Sequence, residues 1–192
     1  MPWSRPKCSR PFKPPRSTHA AVRAFASNTY LLRHARLEVR VIYTAFLALV
    51  VIGMTTMAAF QFCHIGPTPD RIVTHYRGGE HGDEMSFPKT FRELMEVTHF
   101  HAFVMAIVYL VLAHLFIATT VAPGPKLAAL VLGFGGLAGD LLAPWLIRYV
   151  AGAFAYAQLL AWFAEWIGFG AFVVVPLMEM WWRQAADEFP PE

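Results

Sequence analysis

The chain has 192 residues, of which 56% are hydrophobic and 15% are charged, and its formal net charge at pH 7 is +3. Soluble domains carry about 25% charged residues, so this composition excludes a large soluble domain and predicts a membrane protein. It also argues against a nucleic-acid partner, because the basic residues are concentrated ahead of the first apolar segment, without the interleaved aromatic side chains of a folded binding surface.

The amino-terminal part of the chain is basic. Residues 1–27 are rich in proline, lysine and arginine and contain few apolar side chains, which predicts a disordered cytoplasmic arm. Residues 28–40 combine Tyr30 and leucines with arginines, and they predict a short helix at the membrane interface. Glu38 is the only acidic residue ahead of position 41. By the positive-inside rule, this end of the chain is therefore predicted to lie in the cytoplasm.

Four long apolar runs follow, each longer than the roughly 20 residues that a transmembrane helix needs. The runs cover residues 39–62, 97–120, 126–150 and 152–182. They predict an all-α fold, an integral membrane four-helix bundle that comprises residues 41–182. Four crossings place both termini in the cytoplasm, with residues 183–192 as a tail and residues 63–96 as one polar periplasmic loop. The absence of a recognisable organelle presequence favours the bacterial inner membrane.

The predicted periplasmic loop carries local structural signals. Residues 66–70 contain two prolines and a glycine and predict a turn, and residues 71–76 predict a short helical turn. Residues 87–94 predict an amphipathic surface helix that leads into the second span. Within that segment, Thr90 and Glu93 have the spacing of a capping box.

Several polar side chains lie inside the predicted spans. They are His99, His101, His114, Asp140, Glu165 and Glu179. A charge at the centre of a bilayer costs about 2.5–3.5 kcal/mol on insertion scales, so such residues normally face protein and have a partner. His99 and His101 are predicted at the outer interface and His114 near the cytoplasmic side. The polar groups therefore form a ladder across the membrane, and each is a candidate site residue.

Helical phase suggests which histidine points into the bundle. Small residues mark the close-packed side of a membrane helix, and His99 borders a face that contains Thr98 and Ala102. In the third span, Gly135 and Gly139 form a GxxxG pair, which permits either close helix packing or room for a flat cofactor.

The sharpest chemical prediction is one b-type haem near the periplasmic side, because axial imidazoles would project from helices into an apolar slot. His99 is the preferred ligand, and its partner is His64 or, in a distorted helix, His101. A covalent c-type haem has no support, since the chain lacks a CxxCH motif.

Three other interpretations remain open. A metal site on the outer face would use His99, His101, His64 and Glu96, to which His75 and His81 are further candidates. A proton or ion pathway would follow the ladder through Asp140, Glu165, His114 and Glu179. Alternatively, the ladder holds neighbouring helices or subunits together without chemistry, as in a scaffold subunit.

The sequence also resembles a known family. The resemblance rests on segments 76–78, 87–91 and 96–101, and on the patterns Asp140-x-x-x-Pro144-Trp145 and Pro176-x-x-Glu179-x-Trp181. These residues resemble small four-helix bacterial inner-membrane proteins without an assigned activity. The resemblance implies the four-helix fold, and it makes residues 96–101 the first place to look for a site.

Together these observations predict an integral membrane subunit of a bacterial electron-transfer system. A redox or accessory role is favoured over a stand-alone enzyme, because no set of nucleophile, base and orienting group is visible. The predicted partners are the lipid bilayer, other membrane subunits and a periplasmic electron carrier.

Overall fold

The computed structural model describes residues 31–81 and 84–188. The predicted arm, residues 1–27, lies outside the described residues, as does the end of the tail. The described chain begins with a 3₁₀ turn at Leu32–His34, followed by helix α1 at Leu37–Phe60. Leu32 is fully buried, and its N–H donates to the Ala118 carbonyl over 3.0 Å. Residues 31–36 therefore dock on the bundle, whereas the prediction was a short interfacial helix over 28–40, of which residues 28–30 lie outside the described residues.

Helix α1 ends in a π-helical turn at Gln61–Ile65, and the loop that follows is more structured than a coil. Helix α2 spans Pro69–Arg77, which confirms the predicted helical turn. Strands β1 (Gly79–His81) and β2 (Glu84–Ser86) then form an antiparallel hairpin. The Lys89 N–H donates to the Tyr76 carbonyl over 3.0 Å, so the loop folds back on itself.

Helix α3 spans Phe91–Ile117 and begins with the predicted capping box. The Thr90 N–H donates to Glu93 Oε2 over 2.7 Å, and the Glu93 N–H donates to Thr90 Oγ1 over 3.3 Å. The prediction of a surface helix over 87–94 was wrong in its start, because residues 87–90 are not helical. The cap at Thr90 sets the beginning of the helix.

Two further long helices complete the fold. Helix α4 spans Pro123–Tyr149, and a 3₁₀ turn at Gly152–Phe154 leads into α5 at Ala155–Glu188. A Cβ atom at Gly136 would collide with the Glu165 backbone, and one at Gly168 would collide with the Gly133 backbone. Glycines therefore bring α4 and α5 into close contact.

The predicted GxxxG pair was only half right. A Cβ atom at Gly139 would lie 2.8 Å from that of Ala161, whereas Gly135 has no heavy atom within 4 Å of the position of a Cβ. The packing row of α4 instead runs through buried Ala129, Gly133, Gly136, Ala143 and Ile147. Asp140 belongs to the same row by its spacing, so α4 turns this carboxylate toward the bundle.

Among the described residues, four helices are long and apolar enough to cross a membrane. They are Leu37–Ile65, Phe91–Ile117, Pro123–Tyr149 and Gly152–Trp182. In the most apolar window of the first helix only 11% of the residues are buried, against 44% in the last. Helix α1 thus lies at the edge of an all-α membrane bundle, and the exposed apolar side chains of the spans face the bilayer.

Buried side chains form two clusters. The larger cluster includes Leu47, Tyr109, Phe116, Phe172 and Met180. The smaller one lies at the end of the bundle next to residues 63–96, which we call the loop end. It includes Ile65, Ile72, Tyr76, Ala143 and Trp162. The loop therefore packs onto the ends of α4 and α5 and partly covers the loop end of the bundle.

Candidate functional site

A cavity of about 390 Å³ lies at the loop end, between the loop and the four membrane helices. Its volume is within the range of small-molecule sites, which is about 300–1,000 Å³. Most of the wall is apolar. The apolar wall includes Met57, Phe60, Ile65, Leu94, Leu141 and Trp162. The cavity can therefore receive an apolar molecule, and its polar side chains will decide how that molecule is oriented.

Asp140 is the carboxylate that lines this cavity from within the membrane-spanning part. It accepts a hydrogen bond of 2.5 Å from Gln158 Nε2 and one of 2.7 Å from Trp162 Nε1. Both donors bind the same oxygen, Oδ1, and both come from α5. Gln158 is fully buried. Asp140 is therefore held in one orientation by two fixed N–H groups, with its other oxygen, Oδ2, used by neither of them.

His101 is another polar group of the membrane part of the cavity, which Gln61 and Thr98 also line. Its Nδ1 lies 2.9 Å from the Val97 carbonyl oxygen. A carbonyl only accepts, so Nδ1 carries the hydrogen, and in the neutral ring Nε2 is then an acceptor. His101 and Asp140 thus both line the cavity from within the membrane-spanning helices.

His99 does not point into the bundle, which corrects the predicted orientation. It is exposed, and its ring contacts that of Phe103 with 5.1 Å between centroids. The inward face of α3 contains the buried residues Leu94 and Met105, and His101 lies on that row. His99 is two positions away and so points about 160° from His101. The sequence prediction took the face of α3 that contains the small residues Thr98 and Ala102 as the inward face, but the buried face of the helix is rotated away from it.

The other predicted ligands are also turned outward. His64 is exposed, and its ring packs on Phe60 with 4.7 Å between centroids. Glu96 is at the cavity wall but exposed, and it pairs with Arg92 at 2.8 Å. Within residues 31–81 and 84–188, no three His, Cys, Asp or Glu side chains are placed to hold a metal ion. The predicted metal site is thus not formed there, and the side chain of His81 lies outside the described residues.

His75 is a cavity residue that the sequence prediction gave only a minor part. Burial lowers the pKa of His75 to about 4, and the positive charges of Lys89 and His64 act in the same direction. The ring is therefore neutral at pH 7. The signal in the sequence was the spacing of Ile72 and Tyr76, which are buried at i and i+4 of α2 and place His75 beside them.

The deeper polar residues of the predicted ladder bind different neighbours. Tyr109 donates to Glu165 over 2.9 Å, and both are buried. Near the other end of the bundle, buried Glu179 accepts from the Thr120 N–H over 2.6 Å. His114 is exposed, and its Nδ1 donates to the Leu110 carbonyl over 2.8 Å. The ladder thus consists of hydrogen-bonded groups at separate depths, of which Asp140 and His101 are at the cavity.

Comparison with known proteins identifies the family of the chain. No curated protein and no solved structure matches the chain. Residues 66–187 match the family model of a transmembrane helical domain, Aq_1264_TM. The match covers most of the loop, all of α3 and α4 and nearly all of α5, and therefore includes Asp140 and His101. The chain belongs to this family of transmembrane helical domains, which confirms the family resemblance seen in the sequence.

Proposed function

We propose that this protein is an integral membrane subunit of an electron-transfer system in the bacterial inner membrane, and that it binds a flat, amphipathic redox molecule in the loop-end cavity. The observation that carries the proposal is the combination of apolar, aromatic walls with the side chains of His101 and Asp140 in one cavity. Apolar walls provide affinity for such a molecule, and a few fixed polar groups orient it.

The free-energy cost of placing a carboxylate inside a membrane helix supports a role for Asp140 in binding. A carboxylate within a membrane helix is expensive and normally marks a functional site. Gln158 and Trp162 both donate to Oδ1 of Asp140, so these two donors leave Oδ2 able to accept a hydrogen bond. Glu165, in contrast, has its donor Tyr109 inside the bundle and no part in the cavity wall. The cavity carboxylate is therefore the better candidate for contact with a ligand.

A b-type haem is the second candidate for the bound molecule. His101 Nε2 is available as a ligand atom because Nδ1 is committed to the Val97 carbonyl, which is how ligating histidines are commonly oriented. His75 is the other imidazole of the cavity wall, and it replaces the outward-facing His64 and His99 as the preferred partner. A haem bound here would supply one-electron transfer.

The test compares a cavity-filling variant with a matched control. The protein is purified in mild detergent as wild type, Leu141→Trp and Leu142→Trp. Leu141 lines the cavity, whereas its neighbour Leu142 is exposed on the outside of the bundle. Bound small molecules are extracted and identified by mass spectrometry, and a reduced-minus-oxidised visible spectrum is recorded on each sample.

We expect the wild type and Leu142→Trp to carry the same redox-active aromatic compound, and Leu141→Trp to lose it. A b-type absorption spectrum that disappears in Leu141→Trp and in His101→Ala would identify the compound as haem. A folded wild type that carries no redox-active compound and shows no visible absorption would contradict the proposal and favour a scaffold subunit.

A further inference from the structure

Two polar atoms of the cavity wall, one on Asp140 and one on His101, are hydrogen-bond acceptors, and Gln61, Tyr76 and Lys89 of the same wall can donate. Asp140 uses Oδ1 for its two donors, so Oδ2 is the oxygen available to a ligand. His101 uses its Nδ1 hydrogen for the Val97 carbonyl, so the neutral ring offers Nε2 as an acceptor. A ligand that brings hydrogen-bond donors would satisfy both atoms. A ligand that brings only acceptors would leave them buried and unpaired, which is unfavourable.

The charges at the cavity mouth do not favour an anionic ligand. Lys89 is paired with Glu93 at 3.9 Å, and Glu96 is paired with Arg92 at 2.8 Å. Lys89, Glu93 and Glu96 all line the cavity, and their side chains are partly exposed. His75 adds no positive charge at neutral pH, since its pKa is lowered to about 4, mainly by burial. The mouth is thus close to neutral or slightly acidic, and the ligand head group should be neutral.

The shape of the wall favours a planar ring. Phe60, Tyr76 and Trp162 present aromatic surfaces to the cavity, and Pro144 adds a rigid apolar one. Aromatic side chains bind rings in offset-stacked or edge-to-face arrangements, which an aliphatic head group cannot adopt.

From these observations we infer that the ligand is a hydroquinone, the reduced, dihydroxy-aromatic form of a membrane quinone, with its hydroxyl groups donating to Asp140 Oδ2 and His101 Nε2. The inference rests on the proposed function, because it names the molecule that the loop-end cavity binds. It also sets a preference between redox forms: the oxidised quinone has carbonyl oxygens, which only accept, so it would leave Asp140 Oδ2 and His101 Nε2 unpaired and should bind less tightly.

The experiment measures three ligands on the intact wild-type protein in detergent, by calorimetric titration without oxygen. The ligands are naphthohydroquinone, naphthoquinone and the dimethyl ether of naphthohydroquinone, and empty micelles provide the correction for partitioning. We expect naphthohydroquinone to bind about 10-fold or more tightly than either of the others, because only it donates. This comparison needs no variant, so it does not depend on the folding of a mutant.

A variant sharpens the result. In Asp140→Asn the amide oxygen accepts from Gln158 and Trp162, and the amide NH₂ replaces Oδ2 as a donor. We expect naphthohydroquinone affinity to fall about 10-fold and naphthoquinone affinity to rise, so the ratio of the two affinities should decrease or reverse. His99→Ala is the matched control on α3, and it should bind all three ligands as the wild type does, because His99 faces outward.

The outcomes separate the two proposals. Equal or tighter binding of naphthoquinone or of the dimethyl ether would overturn the hydroquinone inference and leave a ligand-binding cavity in place. A long-chain alkylamine is titrated in the same way as a cationic comparison, and its tighter binding than that of naphthohydroquinone would also overturn the inference, since the acceptors would then bind a cation. No binding of any aromatic ligand to the folded protein would contradict both the inference and the proposed function.

Discussion

Tyr109 on α3 donates a hydrogen bond of 2.9 Å to Glu165 on α5, and both side chains are buried in the membrane-spanning part of the bundle. This bond joins two helices that contact each other less closely than α4 and α5 do. Tyr109 also contacts Phe172 of α5 and Phe134 of α4 through its ring. One residue thus connects the three helices that form the centre of the fold.

The loss of this hydroxyl group should destabilise the protein. In Tyr109→Phe the ring contacts remain, but Glu165 loses its donor, and we expect about 0.5–1.5 kcal/mol less stability. Unfolding of the detergent-purified protein, followed by tryptophan fluorescence, measures the change. Tyr156→Phe is the control, because Tyr156 is exposed. Equal stabilities of the two variants would show that the Tyr109–Glu165 bond contributes nothing.

Two neighbouring glycines of α4 should respond in opposite ways to the same substitution. Gly136→Ala forces a Cβ into the Glu165 backbone, so α4 and α5 must separate, at a cost of about 1–3 kcal/mol. Gly135→Ala adds a methyl group in open space and should be neutral or stabilising by up to about 1 kcal/mol, because alanine favours the helix. Thermal unfolding in detergent compares them. A similar melting temperature for both variants would contradict the packing of α4 on α5.

The buried ring of His75 should make stability depend on pH. Burial, with a smaller contribution from Lys89, lowers its pKa from the ordinary 6.5 to about 4. Between these values the unfolded chain binds more protons than the folded one. The contribution of neutral His75 to the free energy of unfolding should therefore be fully present above pH 6.5 and decrease as the pH drops toward 4. Melting temperatures measured across this range should show a smaller decline in His75→Gln. His114→Gln, at an exposed site, should retain the wild-type decline.

The orientation in the membrane is a prediction from the charge distribution and can be tested at Cys63. Cys63 is exposed at the end of α1 next to the loop. If the loop is periplasmic, a membrane-impermeant maleimide added to intact spheroplasts should label Cys63 in a Cys8→Ser background. Disrupted spheroplasts give the full labelling as a reference. Labelling of Cys63 only after disruption would place the loop in the cytoplasm and reverse the predicted topology.

The sequence by itself determined the class of protein and the helical elements. Four apolar runs of sufficient length predict four spans, because a bilayer requires that backbone polar groups be satisfied within each helix. Local signals were equally informative in the loop, where Thr90 and Glu93 marked the start of α3 and the residues after Gly66 marked α2. These signals act over a few residues, so they do not depend on the rest of the fold.

The tertiary structure alone decided which side of each helix faces the protein. In a soluble helix an apolar stripe reveals the inward face, but a membrane helix is apolar toward both lipid and protein, so hydropathy carries little phase information. For this reason the sequence favoured His99 and the Gly135–Gly139 pair, whereas the structure turns His101, Gly136 and Gly139 inward. The meeting of His75 with His101 and Asp140 around one cavity also depends on how the loop folds back over the helix ends, which no local pattern specifies.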